Sequence, residues 1–331
     1  MRVATRGSAL ARWQAEYAVG LLRHARPDIE VGLEVVETTG DRRGEVPIWE
    51  MGGQGVFVKE VQQAVLDARA DVAVHSAKDL PSEGAPGLAL VAVPVRADPR
   101  DALVGSTLES LRKGATVATG SVRRRAQLAW ARPDLDFVGL RGNIATRLGK
   151  VPPGGALVVA SAALDRLGLA ERAAQRLETT LMLPQVGQGA IALECREGDE
   201  GTVELLRAID RPDAHDALRA ERAFLRRLGG GCDLPVGAFA HIDAGDRIVL
   251  EAMVADVEGT AVHREVRQGA RSDAEAIGSA LADILYAAAS TKGVGSWPWA
   301  SAVPLSRVGP SQRPSGPRGR QPPRATVGPR A

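Results

Sequence analysis

Cysteine is nearly absent from this chain: Cys195 and Cys232 are the two among 331 residues. Two thiols cannot build a disulfide framework, and their scarcity points to a reducing cytosol. No Cys/His spacing of the kind that grips a metal occurs, which predicts no metal site. Aromatic side chains make up 3% of the sequence, too few for the platforms that stack single-stranded nucleic acid. No run of about 18 apolar residues exists, so no membrane span is expected. The opening MRVATRGSAL lacks the apolar core of a signal peptide, in keeping with a cytoplasmic protein. Neither a GxxxxGK[ST] loop nor a GxGxxG turn after a strand appears, which removes the common nucleotide signatures.

Acidic residues are missing from one place in particular. From Ile284 onward there is none, while Lys292 and six arginines are present. Taking those seven from the 42 basic residues leaves 35 against 40 Asp and Glu, so the net +2 hides an acidic body. A body of that sign disfavours a nucleic-acid partner. The tail, with PSQRPSGPRGRQPPRATVGPRA, cannot bury enough apolar surface to offset its ordering entropy. Residues 293–331 are therefore expected to be disordered.

What is present is a regular alternation. RVAT, VGLEVVET, DVAVHS, LALVAV, ATVATGS, LDFVGL, GALVVAS and GAIALEC read as strands. Between them lie helical patterns: a helix beginning near Ser8, FVKEVQQAVLDA, VRRRAQLAWA, NIATRLGK and AALDRLG. TVELLRAI and DALRAERAFLRRL follow as helices. The alternation predicts α/β layers with parallel sheets. After Cys232 the rhythm changes to VGAFAHI, RIVLEAMVA and AVHREVRQ, consecutive antiparallel strands closed by the helix DAEAIGSALADILYAAA. That predicts a small α+β domain over residues 212–291.

The chemistry concentrates at strand-to-helix turns, where open α/β sheets bind ligands. ATRGS supplies Arg6 and Ser8, and VHSAKDLP supplies His75, Ser76, Lys78 and Asp79. TGSVRRR supplies Ser121, Arg123, Arg124 and Arg125; LRGN supplies Arg141 and Asn143, with Arg147 one turn on. Arginines in the first turn of a helix oppose its dipole, which favours anions there. A solvated surface role is the ordinary explanation for any one of them. Three turns with the same anomaly predict an extended, polyanionic ligand held by guanidinium forks and backbone N–H groups. Asp79 is either a cap or ion-pair partner of Lys78, or a carboxylate in a cationic pocket able to stabilise developing positive charge. His75 and Cys195 read as core residues. Cys232 stands apart, directly behind Gly229, Gly230 and Gly231 in LGGGCDLPVG, the most pliable backbone available.

ATRGSALA, GGQGVFVKE, DVAVHSAKDLP, DPRDAL, GSVRRRAQL, LRGNIATRL, LPQVGQGAIALECR and GGGCDLPVG together resemble the porphobilinogen deaminase (hydroxymethylbilane synthase) family, in its order, over residues 1 to about 290. The resemblance implies two α/β domains forming a periplasmic-binding-protein-like clamp, residues 1–94 with 190–207 and residues 98–185, plus the small domain at 212–291. It implies head-to-tail condensation of four porphobilinogen molecules with loss of ammonia, giving linear hydroxymethylbilane for tetrapyrrole (haem) synthesis. A dipyrromethane cofactor, in thioether linkage to Cys232, primes the chain. Each pyrrole bears an acetate and a propionate, which matches the arginine-rich turns. By the same resemblance Asp79 stabilises the azafulvenium-like cation formed as ammonia leaves. Ser76, Lys78, Ser121, Arg123, Arg124 and Arg147 hold cofactor carboxylates, while Arg6, Ser8, Arg141 and Arg166 engage substrate. Gln188, at the crossing between the first two domains, lines the cleft, and TGDRRGEVPIWEMGGQG forms a lid. Gln54 replaces a Lys frequent in the family, and the tail has no family counterpart. The protein is expected to be a monomer with no membrane or nucleic-acid partner. The competing class is a non-catalytic clamp that binds a small molecule, which has no need of Cys232 on a glycine loop or of Asp79 among cations.

Overall fold

The computed structural model describes residues 1–38, 58–230 and 234–291. The expected lid at 39–55 with Gln54, the expected anchor Cys232 and the tail at 293–331 lie outside these residues.

The first layer opens with β1 (Arg2–Arg6), whose Val3, Ala4 and Thr5 are buried, and α1 (Ala9–Ala25). Ser8 caps α1, its Oγ accepting from the Ala11 amide at 3.3 Å, so an otherwise unpaired N–H of the first turn is satisfied. Ala11, Ala15, Ala18, Val19 and Leu22 recur along one face and bury it against the sheet. Then come β2 (Gly32–Val36), α2 (Lys59–Leu66), β3 (Val72–Ser76) and β4 (Leu88–Ala92).

The chain crosses into a second layer with β5 (Asp101–Val104), β6 (Thr116–Ala118), α3 (Val122–Ala131) and β7 (Asp136–Val138). It continues through α4 (Ile144–Leu148), β8 (Ala156–Ala160), α5 (Ser161–Arg166) and β9 (Gln175–Leu177). It then returns to the first layer as β10 (Ile191–Arg196), followed by α6 (Glu200–Arg207).

The strand orders are β2-β1-β3-β10-β4 and β7-β6-β8-β5-β9. The sheets are not wholly parallel, which corrects the expectation from alternation alone. β10 runs antiparallel to both β3 and β4, and β5 antiparallel to β8 and β9. These strands each directly follow a crossing between layers, so they enter the sheet from the opposite end to the helix-connected strands.

The third part is α7 (Pro212–Arg227), the meander β11 (Val236–Ile242), β12 (Arg247–Ala255) and β13 (Val262–Ala270), and α8 (Ala274–Thr291). Both helices cover one face of the meander. The other face sets Met253, Ala255 and Phe239 against Ala126 and Leu183 of the second layer. The protein thus has two sheet–helix domains and a small α+β domain.

The crossings are fastened to this third part by one carboxylate. Glu221 of α7 is fully buried. It accepts from both Nη atoms of Arg96, from the Gly187 amide at 2.7 Å and from the Ala240 amide at 2.8 Å. Arg96 Nε also donates to the Gln188 carbonyl at 2.9 Å, and its guanidinium lies 5.0 Å over the Phe239 ring. A charge buried this deeply persists only because its acceptor sites are filled. Among the described residues no helix is long and apolar enough to cross a membrane.

Candidate active site

The carboxyl end of β3 turns at once into a single 3-10 turn, Ala77–Asp79. This places Ser76, Lys78 and Asp79 at the mouth between the two α/β domains. Gly187 makes the placement possible. Its φ is +72°, and a Cβ there would stand 2.9 Å from the Ala77 carbonyl carbon and 3.0 Å from the Lys78 amide nitrogen. The return crossing can lie against this turn only without a side chain. Gly189, at φ +86°, meets the Ala97 carbonyl of the outward crossing in the same way.

Lys78, Asp79, Ser121 and Arg123 line one wall of a cleft. Leu80, Pro81, Leu225, Leu234 and Val236 give it an apolar side, with Gly230 at its edge. The third domain therefore brings the loop that leads into Cys232 to the same cleft as Asp79. Among the described residues, the Asp79 carboxylate has no hydrogen-bond or ion-pair partner.

Cations crowd this wall. Burial, with help from Arg124 and Arg147, pulls the Lys78 ammonium down to about 8 despite Asp79 and Asp101. Burial also takes Arg147 down to about 10, with Arg124 and Arg141 adding to the effect. Arg147 Nε donates to the Gly142 carbonyl at 2.7 Å, and Asn143 caps α4 through the Thr146 amide at 2.9 Å. A desolvated cluster with more cations than carboxylates is stabilised by added anions.

Behind the wall the pattern differs. Asp101, the first residue of β5, is fully buried. Arg124 donates to its Oδ1 from Nε at 3.0 Å and from Nη2 at 2.7 Å, and Arg123 Nη2 lies 2.8 Å from its Oδ2. Burial alone raises a carboxyl, but here the two guanidiniums outweigh it and hold Asp101 well below the usual carboxylate range. Arg123 also donates to the Leu183 carbonyl at 2.6 Å, and Arg124 to the Val158 carbonyl at 3.1 Å. The first-turn arginines of α3 are thus answered in part by the protein's own carboxylate. Ser121 caps α3, accepting from the Arg124 amide at 3.4 Å.

Gln188 is a correction. It is fully buried, and its Nε2 donates to the Pro99 carbonyl at 2.7 Å and to Asp101 Oδ1 at 3.0 Å. It supports Asp101 from behind and does not line the cleft.

The remaining sites divide between the domains. Arg6 ends β1 and Ser8 caps α1, and because β1 runs parallel to β3 both stand at the same end of the first sheet as Ser76. Arg141 precedes α4 in the second domain, and Arg166 ends α5. Burial draws Arg166 down to about 10. Cys195 sits in the first core and burial raises its thiol to about 11. Such a thiol is inert, as the core reading requires. His75 is likewise buried, its Nε2 3.2 Å from Glu194 Oε2.

Two residues of the site carried no sequence signal of their own. Asp101 stood inside DPRDAL with nothing to mark it as the partner of arginines 22 and 23 positions on. Gln14, on the buried face of α1, exchanges hydrogen bonds with Ser76 Oγ at 2.8 and 3.1 Å, and reads in sequence only as one polar break in an apolar stripe.

Residues 1–204 match the family model described as porphobilinogen deaminase, dipyromethane cofactor binding domain, and residues 216–287 match porphobilinogen deaminase, C-terminal domain. The chain is 46% identical over 292 residues to the porphobilinogen deaminase of Syntrophotalea carbinolica, covering 87% of this chain and 92% of that one. It is 46% identical over 290 residues to that of Roseiflexus castenholzii, covering 86% and 95%. For the protein of the same name from Geobacter sulfurreducens the identity is 42% over 291 residues, covering 87% and 91%. With both family models matched and relatives this similar along nearly their whole length, the chain belongs to the porphobilinogen deaminase family.

Proposed function

We propose that Asp79 is the catalytic carboxylate of an enzyme that joins four porphobilinogen molecules head to tail, releases ammonia at each addition and frees linear hydroxymethylbilane for tetrapyrrole synthesis. One observation carries this reading: a carboxylate without a partner among the described residues faces a cleft whose wall holds an excess of cations. As ammonia leaves the aminomethyl group, positive charge spreads between that carbon and the pyrrole nitrogen. A fixed carboxylate beside the N–H stabilises this charge more in the transition state than in the ground state.

The wall fits a dipyrromethane cofactor on its own evidence. Arg123 Nε is buried with no hydrogen-bond partner among the described residues, and Lys78 and Arg147 are cations stripped of water. Ser76, Lys78, Ser121, Arg123, Arg124 and Arg147 are positioned to hold its carboxylates, and the apolar side of the cleft accepts pyrrole faces. When bound, this group supplies the pyrrole carbon to which the first substrate is joined. Arg6 and Ser8 from the first domain, and Arg141 and Arg166 from the second, orient the incoming carboxylates. Cys232 is the anchor, because the buried Cys195 cannot reach the cleft. An acidic body and two cysteines support a cytoplasmic protein with no nucleic-acid partner, which we read as a monomer.

The test is intact mass after incubation with porphobilinogen. The protein gains a two-pyrrole adduct and releases product, Cys195→Ser does the same, and Cys232→Ser carries no adduct. An unmodified chain would instead favour a simple binding protein.

A further inference from the structure

Arg166 is held by a carbonyl and by the face of an aromatic ring. Its Nη2 donates to the Gly189 carbonyl at 2.7 Å, and its Nε is buried with no hydrogen-bond partner among the described residues. Its guanidinium lies 5.6 Å over the ring of Trp13, on α1 of the other α/β domain. Trp13 in turn stacks on Tyr17, one helical turn along, with centroids 5.3 Å apart and planes 8° from parallel. In a chain with five tryptophans and two tyrosines, two aromatics are spent on one short ladder that ends on an arginine.

An aromatic face holds a guanidinium differently from a carboxylate. The π contact occupies the flat side of the cation and leaves its in-plane N–H donors available. A carboxylate would consume those donors and cancel the charge, as Asp101 partly does for Arg123 and Arg124. The carboxylate nearest in sequence, Asp165, is itself engaged by Arg176, whose Nη1 donates to Oδ2 at 2.8 Å. Arg166 is therefore fixed in place while its charge and part of its donor edge stay uncommitted.

We propose that Trp13, kept flat by Tyr17, is a positioning residue for Arg166, holding that guanidinium ready for a substrate carboxylate. The inference rests on the reading of Arg166 as a substrate-binding residue. Because Trp13 and Arg166 belong to different domains, the stack exists only while α1 and α5 are packed together.

The test combines guanidinium NMR with steady-state kinetics on the cofactor-loaded enzyme. An arginine resonance shifted upfield by an indole ring current is expected. It should vanish in Arg166→Lys and Trp13→Leu and persist in Trp13→Phe. Trp13→Leu should raise KM about 3- to 30-fold, the range such a contact is worth, with kcat changed less and Trp13→Phe restoring most of the loss. Tyr17→Leu, which leaves Trp13 in place, should shift KM in the same direction by a smaller factor. The double variant Trp13→Leu with Arg166→Leu should be no worse than Arg166→Leu alone. An unchanged arginine signal or KM in Trp13→Leu, or additive losses in the double variant, overturns the positioning role while leaving Arg166 as a binding residue. A normal KM in Arg166→Leu overturns the underlying reading itself.

Discussion

Two groups of cations sit within reach of each other's charge in this protein and live under different rules. Arg123, which reaches the lining of the cleft, and Arg124 behind it are almost wholly buried, with Asp101 clasped between them. Lys78, in the wall, and Arg147 have lost water without gaining an equivalent counterion, so both are drawn down from their ordinary values. Asp101 answers the first group only in part, since Arg123 Nε has no hydrogen-bond partner among the described residues and burial draws that guanidinium down as well; the second group has no such counterion among the described residues. Positive charge near a site does not by itself mark a binding residue; what marks it is desolvation that the protein leaves uncompensated.

The sharpest way to break this contrast is Asp101→Asn. It keeps the shape and removes the counterion from two buried guanidiniums, which should cost about 3–5 kcal/mol, read as a lowered urea midpoint. If stability holds, Asp101 is not what satisfies the arginines. Next comes Asp79→Asn, expected to slow single-turnover ammonia release by about 10²-fold or more with little change in stability, while Asp79→Glu retains more activity. Near-normal release by the Asn variant would mean that its charge does not drive deamination.

Lys78 gives a prediction with two opposite signs. Its native value of about 8 lies below the ordinary 10.5, so between those limits the unfolded chain binds more protons and stability rises with pH. Over the same window the ammonium is lost, so affinity for a carboxylate-rich ligand falls as pH rises through 8. Lys78→Met should remove this contribution to both trends, in thermal melts and in binding titrations. The smallest effect is expected of Gln188→Leu: about 1–2 kcal/mol of stability, with KM for porphobilinogen unchanged. A large rise in KM would move Gln188 to the ligand side of the contrast.

Much of the fold was legible because apolar periodicity is local. The helix opening at Ser8, the strand running into Ser76 and the final meander all stand where their patterns place them. β5 and β9 escaped notice because four and three residues are too few to show a period, and β5 begins with a buried Asp. The direction of β10 depends on where the chain re-enters the sheet, which alternation does not encode. The same limit hid the partner of Arg123 and Arg124. The dipole conflict in their turn was read as a call for a ligand anion, yet Asp101 supplies the nearest anion. Motif order identified the family; the division of labour among its arginines needed the third dimension.

The single carboxylate of Glu221 has a mechanical consequence. It grips the outward crossing through Arg96 and the return crossing through the Gly187 amide, while belonging to a helix of the third domain. The third domain is therefore keyed to the axle between the lobes and is not merely carried by one of them. Leu225 and Gly230 at one end of that helix, with Leu234 and Val236, thus line the cleft from a domain tied to both crossings.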